Sequence, residues 1–147
     1  MEHRGTFSNT ILEIFTDPGT VTVDLRTRID GETGRQLRKL FGGSFAIITA
    51  YNPHGEIRTP AENQRRAALL DQRVSSLKVS SWRADGRSPD FRHQECGWAI
   101  PLSHEEAQKL GRDFEQLAFF WFDDEDFWLV SLEGEGFAER LPIGLQR

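Results

Sequence analysis

Cysteine is almost absent from this sequence, since Cys96 is the only one among 147 residues. An internal disulfide is therefore impossible, and a reducing compartment is expected. His93 and Glu95 have the spacing of the first half of a zinc-deaminase signature, but its Pro-Cys-x-x-Cys half is missing. The four histidines show no metal-ligand spacing, and no P-loop, Gly-x-Ser-x-Gly elbow or dinucleotide fingerprint is present. We expect neither a metal nor a cofactor.

Long apolar runs and clustered positive charge are also missing. The N-terminal segment lacks the apolar stretch of a signal peptide, and no stretch approaches the roughly 20 apolar residues of a membrane span. The chain carries 18 basic and 23 acidic residues, for a net charge of −5, and the basic residues form no stripe. Phosphate contacts supply most of the non-specific affinity for nucleic acid. These features predict a cytoplasmic protein that binds neither membranes nor nucleic acid.

What is present fits one ordinary globular domain. Hydrophobic residues make up 37% of the chain, and its 13 glycines bring the composition into the range of folded domains. Because domains average about 150 residues, we expect a single domain over residues 1–147. The core is expected over about residues 9–132, and residues 133–147 are expected to form a C-terminal tail.

Three helices are predicted by a hydroxyl residue that is followed, three positions later, by Glu or Gln. This capping box satisfies two backbone donors that the first turn of a helix leaves unpaired. Pro60 stands at the first helical position of the second helix, where its missing N–H costs nothing. The three pairs are Thr33 with Gln36, Thr59 with Glu62, and Ser103 with Glu106.

The strands are predicted from runs of β-prone residues. Phe45–Tyr51 is almost continuously apolar, which is typical of a central strand covered on both faces. A turn at Asp17-Pro18-Gly19-Thr20 is expected to join the first two strands. The resulting order, ββαβαββαββ, predicts an α/β (α+β) sandwich in which a mixed β-sheet carries three helices on one or both faces. The predicted strands are 9–16, 21–27, 45–51, 77–83, 94–100, 118–122 and 127–132.

Asn52 is the first candidate site residue, because it follows the end of the predicted central strand, where ligands bind in open α/β sheets. It either starts a turn or binds a ligand. Asn63 lies four residues before Ala67 on the apolar stripe of the second helix, so its amide is expected to be buried near Asn52. Arg66 points to nearly the same side. The Asn63 amide either ties the Asn52 loop to the helix or faces a ligand beside Arg66.

Glu95 and Gln116 complete the set of candidates. Strand alternation places Glu95 among small residues, on the face opposite Cys96 and Trp98. A carboxylate in that position is a candidate general base or a partner of Arg66, unless it is an ordinary surface glutamate. Gln116 precedes a buried strand, where its amide holds either neighbouring backbone or a ligand. Cys96 is more typical of a small core residue than of a nucleophile.

The segment Thr49-Ala50-Tyr51-Asn52-Pro53, followed by Asn63 and Arg66 on the next helix, resembles a bacterial family known as domain of unknown function 3293. Weaker similarities are the strand with Glu95 and the segment Phe114-x-Gln116-x-Ala118. The resemblance covers about residues 9–132. It implies a small bacterial cytosolic protein and supplies no reaction.

The side chains of Asn52, Asn63, Arg66, Glu95 and Gln116 form a recognition set without a strong nucleophile or a metal site. We therefore expect a binding or interaction module with a polar pocket for a small polar ligand or a protein partner. The alternative is a hydrolase or transferase in which Glu95 is the general base, while Arg66 and the two asparagines stabilise negative charge. The sequence leaves the oligomeric state open.

Overall fold

The structure is a computed structural model that describes residues 7, 9–17, 19–134 and 136–142. Within these ranges the predicted order ββαβαββαββ is confirmed, with one more strand at the C-terminal end. The strands are β1 (Ile11–Phe15), β2 (Thr20–Asp24), β3 (Phe45–Thr49), β4 (Trp82–Arg87), β5 (Gln94–Ile100), β6 (Ala118–Phe122), β7 (Phe127–Ser131) and β8 (Ala138–Leu141). The helices are α1 (Gly31–Phe41), α2 (Pro60–Leu77) and α3 (His104–Asp113), and a 3-10 turn covers Pro53–Gly55.

The eight described strands form one sheet in the order β2-β1-β4-β5-β3-β6-β7-β8. The prediction of a mixed sheet is wrong, because all neighbouring strands in it pair antiparallel. Parallel neighbours require a crossover between adjacent strands. Here α2 connects β3 to β4 across the intervening β5, and α3 connects β5 to β6 across β3. Each helix therefore links strands that do not hydrogen-bond to each other.

Helices cover both faces of this sheet, which is one of the two arrangements expected from the sequence. Leu37 of α1 packs with Phe45 and Ile47 on one face, called here the α1 face. The alternate residues of β3 face a second core that is closed by α2 and α3. Four of the five residues of β3 are buried, which confirms its prediction as a central strand.

Two of the three predicted helix caps are confirmed. Thr59 accepts the Glu62 N–H at the start of α2, and Ser103 forms a full capping box at the start of α3. The cap predicted at Thr33 is wrong, because α1 begins earlier and the Asp30 carboxylate accepts the Thr33 N–H at 2.7 Å. Aspartate caps a helix as well as a hydroxyl residue does, so α1 begins directly after Asp30.

Two strand predictions also change. The strand predicted at 77–83 begins only at Trp82, because α2 continues to Leu77. The predicted tail at 133–147 contains β8, which pairs with β7 at the edge of the sheet. The hairpin of β1 and β2 is confirmed, while Pro18 of its predicted turn lies outside the described residues. None of the helices in the described ranges combines the length and apolar character that crossing a bilayer requires.

Gly97 marks a close approach between β3 and β5. A Cβ atom on Gly97 would lie 2.3 Å from the Ile48 carbonyl oxygen, which is too short for any non-bonded contact. Because the obstructing atom belongs to the backbone, rotation of a side chain cannot relieve the clash. The residue opposite Thr49 in the sheet therefore has to be glycine.

We expect Gly97→Ala to lower the free energy of unfolding by about 2–3 kcal/mol, the usual cost of overpacking a rigid site. Urea denaturation measures the loss. Gly86→Ala is the matched control in β4, since its added Cβ would meet its nearest atom, Thr10 Cγ2, at 3.4 Å. Equal stability of the two variants would show that β3 and β5 separate without cost.

Candidate functional site

Asn52 and Asn63 form a two-point amide pair at the end of β3. The Asn52 N–H donates to Asn63 Oδ1 at 2.9 Å, and Asn63 Nδ2 donates to Asn52 Oδ1 at 2.9 Å. Asn52 Oδ1 also accepts the backbone N–H of Arg58 at 3.0 Å. Asn52 has φ 48° and ψ 65°, a left-handed conformation that asparagine tolerates better than most residues. The buried Asn63 thus ties the turn after β3 to the first turn of α2.

Arg66 fixes the same turn from one helical turn further along α2. Its Nε donates to the Ala50 carbonyl at 2.6 Å, and its Nη2 donates to the Phe114 carbonyl at 2.5 Å. Its Nη1 reaches Glu115 Oε1 at 3.3 Å. The guanidinium therefore joins the end of β3 to the end of α3. Of the alternatives for Glu95, the one in which it pairs with Arg66 does not hold, because Arg66 pairs with Glu115.

Gln116 makes a third connection between these segments. Its Nε2 donates to the carbonyls of Tyr51 at 3.0 Å and Phe114 at 3.1 Å. The alternative in which this amide holds neighbouring backbone is therefore what the structure shows. Its Oε1 is left as an acceptor, with no donor to it among the described residues.

Glu95 lies on β5 beside Gly97, on the α1 face of the sheet, as strand alternation predicts. Trp98 lies on the opposite face, where its Nε1 donates to Asp71 of α2 at 2.8 Å. Burial raises the pKa of the Glu95 carboxyl from 4.5 to about 7, although a hydrogen bond from the Asn52 side chain acts in the opposite direction. The donor to Glu95 is Asn52 Nδ2, because the amide nitrogen is the only donor in this side chain. Glu95 is therefore half-buried and ionises near neutral pH.

A cavity of about 130 Å³ opens beside Glu95 on the α1 face. Strands β1, β4, β5, β3 and β6 contribute its walls, together with residues that follow α3. Two of the predicted site residues, Glu95 and Gln116, line this cavity, whereas Asn52, Asn63 and Arg66 do not. Its other walls are mainly apolar or small: Leu12, Ile47, Ile48, Ala84, Gly86, Gly97, Ala118, Phe119 and Phe120.

The five predicted residues therefore meet around one turn but serve two purposes. Glu95 and Gln116 face the cavity, while Asn52, Asn63 and Arg66 hold the turn that supports them. Asn52 connects the two groups, because its backbone and Oδ1 bind Asn63 and its Nδ2 binds Glu95. Asn52, Asn63 and Glu95 are thus hydrogen-bonded to one another, while Arg66 and Gln116 bind backbone carbonyls of the same turn and both donate to the Phe114 carbonyl.

Sequence reasoning missed two further contacts near this turn. Glu115, which has φ 59°, accepts from Arg66 and bonds to His54 Nε2 at 2.8 Å; these hydrogen bonds lower the pKa of its carboxyl. The Tyr51 hydroxyl bonds to Cys96, and this contact together with burial raises the Tyr51 pKa to about 12. Both contacts join segments distant in sequence, so no local pattern marks them.

The model of the family described as protein of unknown function DUF3293 matches residues 48–119, just under half of the chain. The match confirms the predicted resemblance to this family over residues 48–119. The DUF3293 match runs from the end of β3 to the start of β6 and contains all five predicted site residues. No curated protein and no solved structure was found to match the chain. DUF3293 carries no assigned function, so the function is argued below from the cavity.

We expect Asn63→Ala to destabilise the protein by about 1–3 kcal/mol, although alanine favours helix formation by a few tenths of a kcal/mol. The reason is that the part-buried Asn52 N–H loses its acceptor and Asn52 Oδ1 loses one of its two donors, keeping only the Arg58 N–H. Chemical denaturation measures the difference. Gln64→Ala is the control, because Gln64 is the exposed neighbour in the same turn of α2. Equal stability of the two variants would contradict a structural role for the amide pair.

The raised pKa of Glu95 predicts a pH-dependent stability. The folded protein binds a proton on Glu95 more tightly than the unfolded chain, so the stability due to this group falls as pH rises from 4.5 to about 7. We expect wild type to lose about 1–3 kcal/mol relative to Glu95→Gln between pH 5 and pH 8. Denaturation of both proteins at the two pH values measures this difference. Parallel pH profiles would show that Glu95 is as solvated as in the unfolded chain.

Proposed function

We propose that this protein is a binding module for a small ligand whose apolar body fills the cavity beside Glu95. The observation that supports this proposal is a cavity with apolar walls and a half-buried carboxyl group at its edge. Binding sites for small molecules combine these two properties, because apolar walls give affinity and a few polar groups fix orientation. Apart from Gln116 Oε1, the side-chain amide groups of Asn52, Asn63 and Gln116 are hydrogen-bonded to protein partners.

The size of the cavity limits the ligand. A cavity of about 150 Å³ with apolar walls holds benzene, and the space here is about 130 Å³. The ligand is therefore expected to insert a body of about benzene size, with any further part extending past Glu95 towards solvent. Leu12, Ile47 and Phe120 provide its apolar contacts.

A cytoplasmic, bacterial setting and a small-molecule partner belong to the same proposal. A single cysteine and the absence of a basic stripe support it, because the first suits a reducing compartment and the second disfavours a polyanionic partner.

The alternative of a hydrolase or transferase is favoured by one observation, the Glu95 pKa of about 7. A general base works best when its pKa lies near the working pH. In such an enzyme Glu95 would accept a proton from water or from the substrate. Turnover of p-nitrophenyl esters that is lost in Glu95→Gln would support this candidate over a binding module.

A valine in the cavity tests the binding proposal. Gly86→Val places two methyl groups towards Thr10 and Leu12, inside the space that the ligand needs. A thermal-shift screen of fragments of benzene size is expected to find compounds that stabilise wild type but not this variant. A ligand at 100 times its dissociation constant adds about 2.7 kcal/mol of stability.

Thr22→Val is the control, because it adds a valine on the exposed edge strand β2, away from the cavity. It is expected to respond to the fragments as wild type does. Compounds that stabilise all three proteins equally would bind elsewhere and would contradict the proposed cavity site.

A further inference from the structure

We propose that the ligand of this cavity is a small organic cation, a primary ammonium group carried on an apolar body. This inference rests on the proposed function and specifies the class of ligand. The ammonium group binds between the Glu95 carboxylate and Gln116 Oε1, and the apolar body fills the space in front of Phe120.

Near Glu95, the polar side chains that border the cavity have used their hydrogen-bond donors on protein partners and keep free acceptor atoms. Gln116 uses its Nε2 on two backbone carbonyls and keeps Oε1. The Thr49 hydroxyl donates to the Cys96 carbonyl at 2.7 Å and accepts the Tyr51 N–H at 3.1 Å, so its hydrogen is occupied and one lone pair remains. Glu95 accepts one hydrogen bond from Asn52 and has further lone pairs. A ligand that supplies several N–H donors satisfies all of these groups, whereas one that brings only acceptors satisfies none.

Charge favours a cation in the same way. Among the described residues Glu95 has no ion-pair partner, and a half-buried carboxylate without one is costly. An ammonium group would supply the missing opposite charge in a partly desolvated site, where such pairs are stronger than at the surface. Ionised Glu95 would repel a carboxylate or phosphate ligand.

Two basic residues, Arg87 and His93, also border the cavity, but neither neutralises Glu95. The Arg87 guanidinium donates to Glu13 Oε1 at 2.8 Å and lies over the Phe91 ring at 3.9 Å. The strand register also separates Arg87 from Glu95. Arg87 pairs with Gln94 while Glu95 pairs with Gly86, and neighbouring residues of a strand face opposite ways. His93 is exposed.

The test compares three probes of the same shape on the full chain: benzylamine, benzyl alcohol and benzoate. Titration calorimetry at pH 8, where Glu95 is mostly ionised, measures the three affinities. We expect benzylamine to bind at least about tenfold more tightly than benzyl alcohol, which is the usual gain from a hydrogen bond to a charged group. We expect benzoate to bind more weakly than either.

Glu95→Gln keeps the shape of the side chain and removes its charge. This variant is expected to lose the preference for benzylamine while its affinity for benzyl alcohol stays within about twofold. Glu105→Gln is the matched control, since it makes the same charge change at an exposed site in the first turn of α3 and should bind as wild type does. Retention of the benzylamine preference in Glu95→Gln would overturn the assignment to Glu95.

The outcomes separate this inference from the function on which it rests. If benzyl alcohol or benzoate binds as tightly as benzylamine, and Gly86→Val abolishes that binding, the cavity is a ligand site but the cation inference is wrong. If none of the three probes binds and the fragment screen also finds nothing, both the proposed function and this inference are overturned.

Discussion

The two-point amide pair between Asn52 and Asn63 is the interaction on which the rest of this site depends. It fixes Asn52 in a left-handed conformation and occupies its backbone N–H and its Oδ1. The remaining donor, Nδ2, is then directed to Glu95. Without Asn63 the turn after β3 would have to find other partners for these groups in a largely dry environment. Asn63, which does not line the cavity, therefore orients the Asn52 side chain that donates a hydrogen bond to the carboxyl at its edge.

The sheet topology explains why the cavity exists. Each of α2 and α3 links strands separated by another strand, so β4, β5, β3 and β6 come together from distant parts of the chain. On the α1 face these strands present Ala84, Gly86, Gly97 and Ala118, whose short side chains leave a cavity that Phe120 and Phe7 also line. A carboxyl group at the edge of this space remains half-buried without a charged partner. Its raised pKa follows from the same packing that leaves room for a ligand.

Local sequence patterns predicted those parts of the fold that depend on interactions between residues close in sequence. The strand at 94–100 and the cap at Ser103 were predictable because alternation and capping operate over a few residues. The mixed sheet was a wrong prediction, since the direction of neighbouring strands depends on which strands pair, and that is decided by contacts far apart in sequence. The cap of α1 was misplaced because Asp30, three residues before Thr33, caps a helix equally well, and the capping pattern at Thr33 does not exclude it.

In the candidate site, too, some features were predictable from local patterns and others were not. The burial of Asn63 and the face of Glu95 follow from helical and strand periodicity, and both are confirmed by the structure. The partners of Arg66 are backbone carbonyls of Ala50 and Phe114, and a carbonyl leaves no mark in the sequence. The cavity was equally hidden, because it depends on the register that places Gly86 opposite Glu95.

The amide pair of Asn52 and Asn63 also connects opening of the first turn of α2 to the cavity. The Asn52 N–H is bonded to a side chain in the first turn of α2, so it can exchange with solvent deuterium only when that turn opens or Asn63 swings away. Helix ends fray more readily than helix centres do, and here fraying would release Asn52 and the Glu95 carboxyl together. The protection of a single backbone amide therefore reports how often the Asn52 turn opens and its hydrogen bond to Glu95 is lost, even in a protein that is otherwise fully folded.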